Sequence, residues 1–182
     1  MLDPDEYLHL AIHASSVGDH HACMTYLKEV LQRQPAHAGA LYLLAAQHAE
    51  LGLVERAISG MKAALAITPE MEVTRFQLGL LLLDRDRAGE AKQQLAALDG
   101  SSNPALRAFS QALLALADAD PVGAQKKLAL GLALPSGNPA LSTMMQRFFE
   151  HLAKKNEAAV EPPASAPEGS PLFLGAYRQA SS

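Results

Sequence analysis

The residues of this chain whose types could do chemistry are seven histidines and a single cysteine. His9 and His13 stand four apart, one turn of a helix, and His20 and His21 are adjacent a few residues on. Imidazoles at such spacing can hold a divalent metal. The nearest carboxylates, Asp5, Glu6 and Asp19, are equally well explained as solvated charges at helix ends, and there is no His-Glu-x-x-His run and no cysteine partner. No metal and no cofactor is therefore expected. His37, His48 and His151 stand alone as structural or surface positions. One cysteine permits no disulfide within the chain, and a reactive thiol needs an exposed electropositive setting. The glycines form no phosphate-cradling loop and no nucleophile elbow. An enzyme is not expected.

The elements that carry these residues follow from composition. Of 182 residues, 34 are Ala and 30 are Leu, against 13 for Val, Ile and Thr together. Ala and Leu lead the helix scale and β-branched residues favour strands, so an all-α chain is predicted. Internal periodicity then sets the organisation. Tyr7, Leu10, Gly18, Cys23, Leu27, Val30, Leu31 and Pro35 are matched 34 residues later by Leu41, Leu44, Gly52, Ala57, Met61, Ala64, Leu65 and Pro69. The register continues through Leu78-Gly79, Ala91, Leu95 and Leu98, then, with one residue inserted, through Ala112, Ala124, Leu128 and Leu132.

This pattern resembles the tetratricopeptide repeat (TPR), two antiparallel helices in 34 residues. The resemblance implies a right-handed solenoid of about four repeats (4–37, 38–71, 72–104 and 105–138) plus a C-terminal capping helix at 139–155, together a domain of residues 1–155. In that family small residues at the eighth and twentieth positions let the helices approach. Here they are Ala11, Ala45, Gly79 and Ala112, then Cys23, Ala57, Ala91 and Ala124, so Cys23 is expected packed and inert. The family's fourth-position Trp is replaced by Tyr7, Leu41, Arg75 and Ala108, and the third and fourth units lack the turn glycine.

Nine helices are predicted, at about 4–16, 20–33, 38–50, 54–67, 71–84, 88–98, 104–117, 121–133 and 139–155. Asp3-Pro4, Thr68-Pro69, Asn103-Pro104, Asp120-Pro121 and Asn138-Pro139 each offer a side-chain acceptor before a proline suited to the first helical turn. The ninth helix carries one apolar stripe, Leu141, Met144, Met145, Phe148, Phe149 and Leu152, which suits a cap over the last repeat or, in the alternative, a self-association surface. Residues 156–182 are Pro-, Ala- and Ser-rich and read as a flexible tail, interrupted by an apolar patch at 171–178. Leu172, Phe173, Leu174 and Tyr177 in that patch are a candidate docking motif, within reach of the C-terminal repeats over a linker spanning about 20 Å.

The resemblance also implies a binding face. TPR grooves are lined chiefly by the second, fifth, ninth, twelfth and thirteenth positions of each repeat, here including Leu8, Tyr42, Phe76 and Phe109; Ile12, Ala46, Leu80 and Leu113; Leu83 and Leu116; and Glu50 and Asp84. No Lys or Arg falls there, so no basic carboxylate clamp is implied. What is implied is an apolar ladder with Glu50 and Asp84 as an acidic edge, taking a protein or peptide segment with apolar anchors.

The remaining partner classes are excluded on charge and hydropathy. A formal net charge of -4 without basic blocks argues against nucleic acid, and no apolar run approaches the roughly 20 residues of a membrane span. The acidic start Met-Leu-Asp-Pro-Asp-Glu does not read as a signal peptide, and a cytoplasmic setting is expected. The function expected is a non-enzymatic TPR adaptor or co-chaperone. The alternative is a chaperone or scaffold subunit of a bacterial secretion or envelope assembly, including the type III secretion chaperone-like class.

Overall fold

The computed structural model describes residues 2–160, with side chains through Lys154. The described residues form α-helices and turns, with no strand among them. They fall into two compact units, divided between Thr74 and Arg75. The first holds α1 (Pro4–Ser16), α2 (His20–Arg33), α3 (Ala38–Glu50) and α4 (Val54–Ile67). The second holds α6 (Ala88–Ala96), α7 (Pro104–Ala117), α8 (Pro121–Leu132), α9 (Pro139–Val160) and all but the first turn of α5 (Glu72–Asp84).

Within each unit the building block is an antiparallel helix pair: α1 with α2, α3 with α4 and α7 with α8. The small residues at the eighth and twentieth repeat positions are all buried. At the third pair the closeness is explicit: a Cβ on Gly79 of α5 would lie 2.6 Å from Cδ2 of Leu95 on α6, so a larger residue there would force the Leu95 side chain to move. In the first unit Ala11, Ala14, Cys23, Leu27, Val30 and Ala40 form one core, with Tyr7, Leu8, Tyr26, Leu43 and Leu44 packed against it. Tyr7 sits 6.2 Å from the Tyr26 ring, and the Arg33 guanidinium lies 4.9 Å above its centroid, so an aromatic–cation stack fills the fourth position of this repeat.

The turns inside the four pairs share one hydrogen bond. The amide of Asp19 donates to Ala14 at 2.9 Å, Leu53 to His48 at 2.8 Å, Arg87 to Leu82 at 2.9 Å and Asp120 to Ala115 at 2.8 Å. Each bond closes a helix C-terminus through a residue in the left-handed region. Gly18 (φ +74) and Gly52 (φ +76) supply it in the first two turns, and Asp86 (φ 56) and Ala119 (φ 58) supply it in the third and fourth. The turn therefore persists where its glycine is missing, because the packed helices on either side leave the chain no other path.

Helix starts follow the side-chain caps in most places. Asp3 and Glu6 form a reciprocal capping box (2.7 and 2.8 Å), and Asp19, Asn103, Asp120 and Asn138 each accept an amide of the first turn. His37 caps α3 through Nδ1, 3.1 Å from the Ala40 amide, a role its isolated position in the sequence gives no sign of. Thr68-Pro69 departs from its expected role. Thr68 closes α4 as its C-cap, its amide donating to Ala64 at 2.9 Å, and α5 begins at Glu72. The ninth helix runs to Val160, five residues past its expected end, while Leu172, Phe173, Leu174 and Tyr177 lie outside the described residues.

Candidate partner-binding surface

The first helix of each pair carries the residues implied to line a ligand groove, and their surroundings differ between the two units. In the first unit Ile12 of α1 is 48% exposed, whereas Leu8 on α1 and Tyr42 and Ala46 on α3 are half-buried. The two helices are joined side by side by a polar relay. Gln47, 2% exposed, donates from Nε2 to Ser15 Oγ (3.0 Å) and receives His20 Nδ1 at its Oε1 (2.8 Å). His20 Nδ1 also lies 3.2 Å from Glu50 Oε2. Burial holds the Glu50 carboxyl above its ordinary range, with His20 opposing the shift. Glu50, expected as a free acidic edge, is thus engaged within the fold.

In the second unit Phe76, Leu80, Phe109 and Leu113 are buried, and Leu83, Leu116 and Asp84 are half-buried. The rings of Phe76 and Phe109 lie 6.5 Å apart at 49°. Phe109 also packs on its own partner helix: a Cβ on Gly131 of α8 would meet the Phe109 ring at 2.4 Å. The glycine makes room for the ring, and the ring leaves the surface. The ladder read from the sequence therefore divides, with four rungs serving as core and the others keeping some exposed surface. Burial depth is the signal that sequence reasoning lacked, because helical periodicity assigns a face and not what covers it.

The other chemistry-bearing residues are accounted for locally. His9 and His13 are exposed, and His9 Nδ1 lies 2.8 Å from the Asp5 carbonyl. Among the described residues no group of three His, Cys, Asp or Glu side chains is placed to hold a metal ion. Cys23 is fully buried, and burial, reinforced by Glu50 and Asp19, pushes its thiol up to about 11, which makes it a poor nucleophile at neutral pH. Between α3 and α4 an open crevice is lined by Leu41, Leu44, Ala45, His48, Arg56 and Gly60 among others. Burial, then Arg56 and Lys28, hold the His48 imidazole below its ordinary value of 6.5. No described helix is long and apolar enough to cross a membrane.

Neither a family model nor a curated protein matches the sequence. Solved structures do resemble the fold. The O-GlcNAc transferase of Thermobaculum terrenum superposes with a TM-score of 0.59 and 24% identity, over 71% of this chain and 26% of that one. The chain thus spans about a quarter of that protein's length. PilF of Pseudomonas aeruginosa gives a TM-score of 0.64 at 21% identity, covering 86% of this chain and 70% of the other. TTC0263, a thermophilic TPR protein of Thermus thermophilus, gives 0.51 at 19% identity, over 84% of this chain and all (100%) of its own.

Proposed function

We propose that this chain, whose fold is that of the tetratricopeptide-repeat proteins, is a non-enzymatic protein-interaction module of the adaptor or co-chaperone kind. The supporting observation is the apolar strip that the first unit leaves at its surface. Ile12 is nearly half exposed in the same repeat position that Ala46 occupies on α3, and Leu8 and Tyr42 share the fifth position beside them. Four apolar residues on two adjoining first helices offer a partner segment two or three anchoring points, and Leu83 and Leu116 offer like positions in the second unit. An aliphatic or aromatic anchor is the chemistry that fits. Glu50 adds little attraction for a basic partner residue, since its carboxyl is half-buried against His20.

Of the alternatives in a secretion or envelope assembly, the scaffold subunit asks for self-association through the ninth helix, whereas a type III secretion chaperone-like protein would use the same apolar groove. Leu141, Met145, Phe148 and Leu152 of that helix are buried in the second unit, which favours the adaptor reading over the scaffold. The test is affinity capture with quantitative mass spectrometry, using the native chain and Ile12→Glu. We expect Ile12→Glu to keep native helicity, since the side chain is solvent-facing, and to lose captured partners about tenfold or more, as an unpaired charge in an apolar contact does. Equal capture by both proteins would overturn the reading.

A further inference from the structure

The first and second repeats fill the gap between their helices differently. In the first, the rings of Tyr7 on α1 and Tyr26 on α2 lie 6.2 Å apart, with the Arg33 guanidinium over Tyr7. The counterparts of these three residues, 34 positions on, are Leu41, Gly60 and Ile67. Two rings are thus replaced by one isobutyl group and a hydrogen atom. Gly60 lets α4 press against α3, so closely that an added Cβ would lie 2.8 Å from the Ala45 Cβ. Beside that contact the missing ring volume remains as the open crevice between α3 and α4, about 330 Å³, at the small end of ligand sites.

The crevice is also polarised. Because α3 and α4 run antiparallel, Leu41 and Ala63 line one end, Leu44, Ala45 and Gly60 the middle, and His48 and Arg56 the other. No carboxylate lines it. The basic pair stands where the first repeat has Ala14 and Ala22. Burial comes first among the influences on the His48 imidazole, and the charges that follow, Arg56 and then Lys28 of α2, are both positive. In a chain with a net charge of -4, this is a local basic focus beside an apolar slot.

We propose that the crevice is a second binding site, for a partner segment carrying a carboxylate and an aromatic ring about 6 Å apart, with the ring in the slot at Leu41 and Gly60 and the carboxylate on Arg56 and His48. The spacing follows from α4, where Gly60 lies four residues, about 6 Å, along the helix from Arg56. In an extended segment that is the separation of residues i and i+2, at about 3.3 Å per residue and on one face. The ring takes the apolar surface that the first repeat covers with its own tyrosines. The carboxylate gives the site direction, since an arginine fork can grip it through two parallel hydrogen bonds.

The blocked tripeptide acetyl-Asp-Ala-Phe-amide has that spacing and serves as the probe. Titrated into the purified full-length chain, it should shift the His48 ring NMR signals saturably, with a dissociation constant of about 1 mM or tighter. It should also raise the pH at which His48 titrates, because a seated anion favours the imidazolium. Acetyl-Asn-Ala-Phe-amide and acetyl-Asp-Ala-Ala-amide should each bind about tenfold more weakly, the first for want of the charge-assisted bond and the second for want of the ring. Arg56→Gln should weaken the Asp-Ala-Phe peptide about tenfold and leave the Asn-Ala-Phe peptide unchanged. Ala63→Trp should fill the slot and abolish binding of both. Arg56 and Ala63 are exposed, so both variants keep the helices, which far-UV circular dichroism checks. No saturable shift, equal binding of the three peptides, or His48 signals that move with protein concentration alone (a second copy in the crevice) would each overturn the proposal. Defined peptides replace captured partners in this measurement, so its failure and that of the partner-binding reading are separate events.

Discussion

At the scale of single residues, Cys23, Glu50 and His48 show how packing rewrites ordinary chemistry. Cys23 becomes a small hydrophobe, its thiol held near 11 by burial and two neighbouring carboxylates. His48 and Glu50 carry a pH dependence of opposite sign. The folded-state imidazole of His48 titrates below its ordinary value, so the unfolded chain takes up that proton first. The stability His48 contributes is whole above about pH 6.5 and is lost as the pH falls toward its lowered folded value. The Glu50 carboxyl is raised in the fold, so its effect runs the other way, and stability falls as the pH rises through that raised value. Urea midpoints measured from pH 5 to 7.5 in a Glu50→Gln background should fall on acidification with His48 present and flatten with His48→Gln. An unchanged slope would show that His48 is free to protonate in the fold.

At the scale of elements, the four turns inside the helix pairs compare like with like. All four close through the same amide bond to the carbonyl five residues back, yet only two have the glycine suited to the left-handed conformation. Aspartate tolerates that region better than alanine, and alanine pays a cost of about 1–2 kcal/mol against it. Ala119→Gly should therefore stabilise the protein by about 0.5–1 kcal/mol after the added freedom of the unfolded glycine is subtracted, and Asp86→Gly by less. Denaturant titration of the two variants tests the order. The same comparison shows what was legible locally. Capping residues at Asp3, Asp19, Asn103, Asp120 and Asn138 act on amides within three residues of themselves, so their spacing alone predicts them. Thr68-Pro69 has the same local signature and ends a helix, because α4 already runs through to Ile67 when it arrives.

At the scale of the whole molecule, core and surface separate the two aromatic-rich stretches that one periodicity had joined. Ile12 and Tyr42 retain surface, whereas Phe76 and Phe109 have none. Truncating Phe76 to Ala should cost about 3–5 kcal/mol, the range for a buried aromatic, and lower the unfolding midpoint. Partner capture per folded molecule should stay near native for Phe76→Ala and fall for Ile12→Glu, which a capture assay normalised to the far-UV helical signal would resolve. The reverse ranking would place the binding contact in the second unit. The sequence by itself determined the helical class, the 34-residue period and the small residues where helices cross, since each of these depends on neighbours one or two turns away. The tertiary structure alone decided which rungs of the ladder are buried, that Ala119 turns left-handed, and that Glu50 meets His20 across 30 residues. Those outcomes depend on what packs against a residue from a distant part of the chain, as Gly131 makes room for Phe109 from 22 residues away.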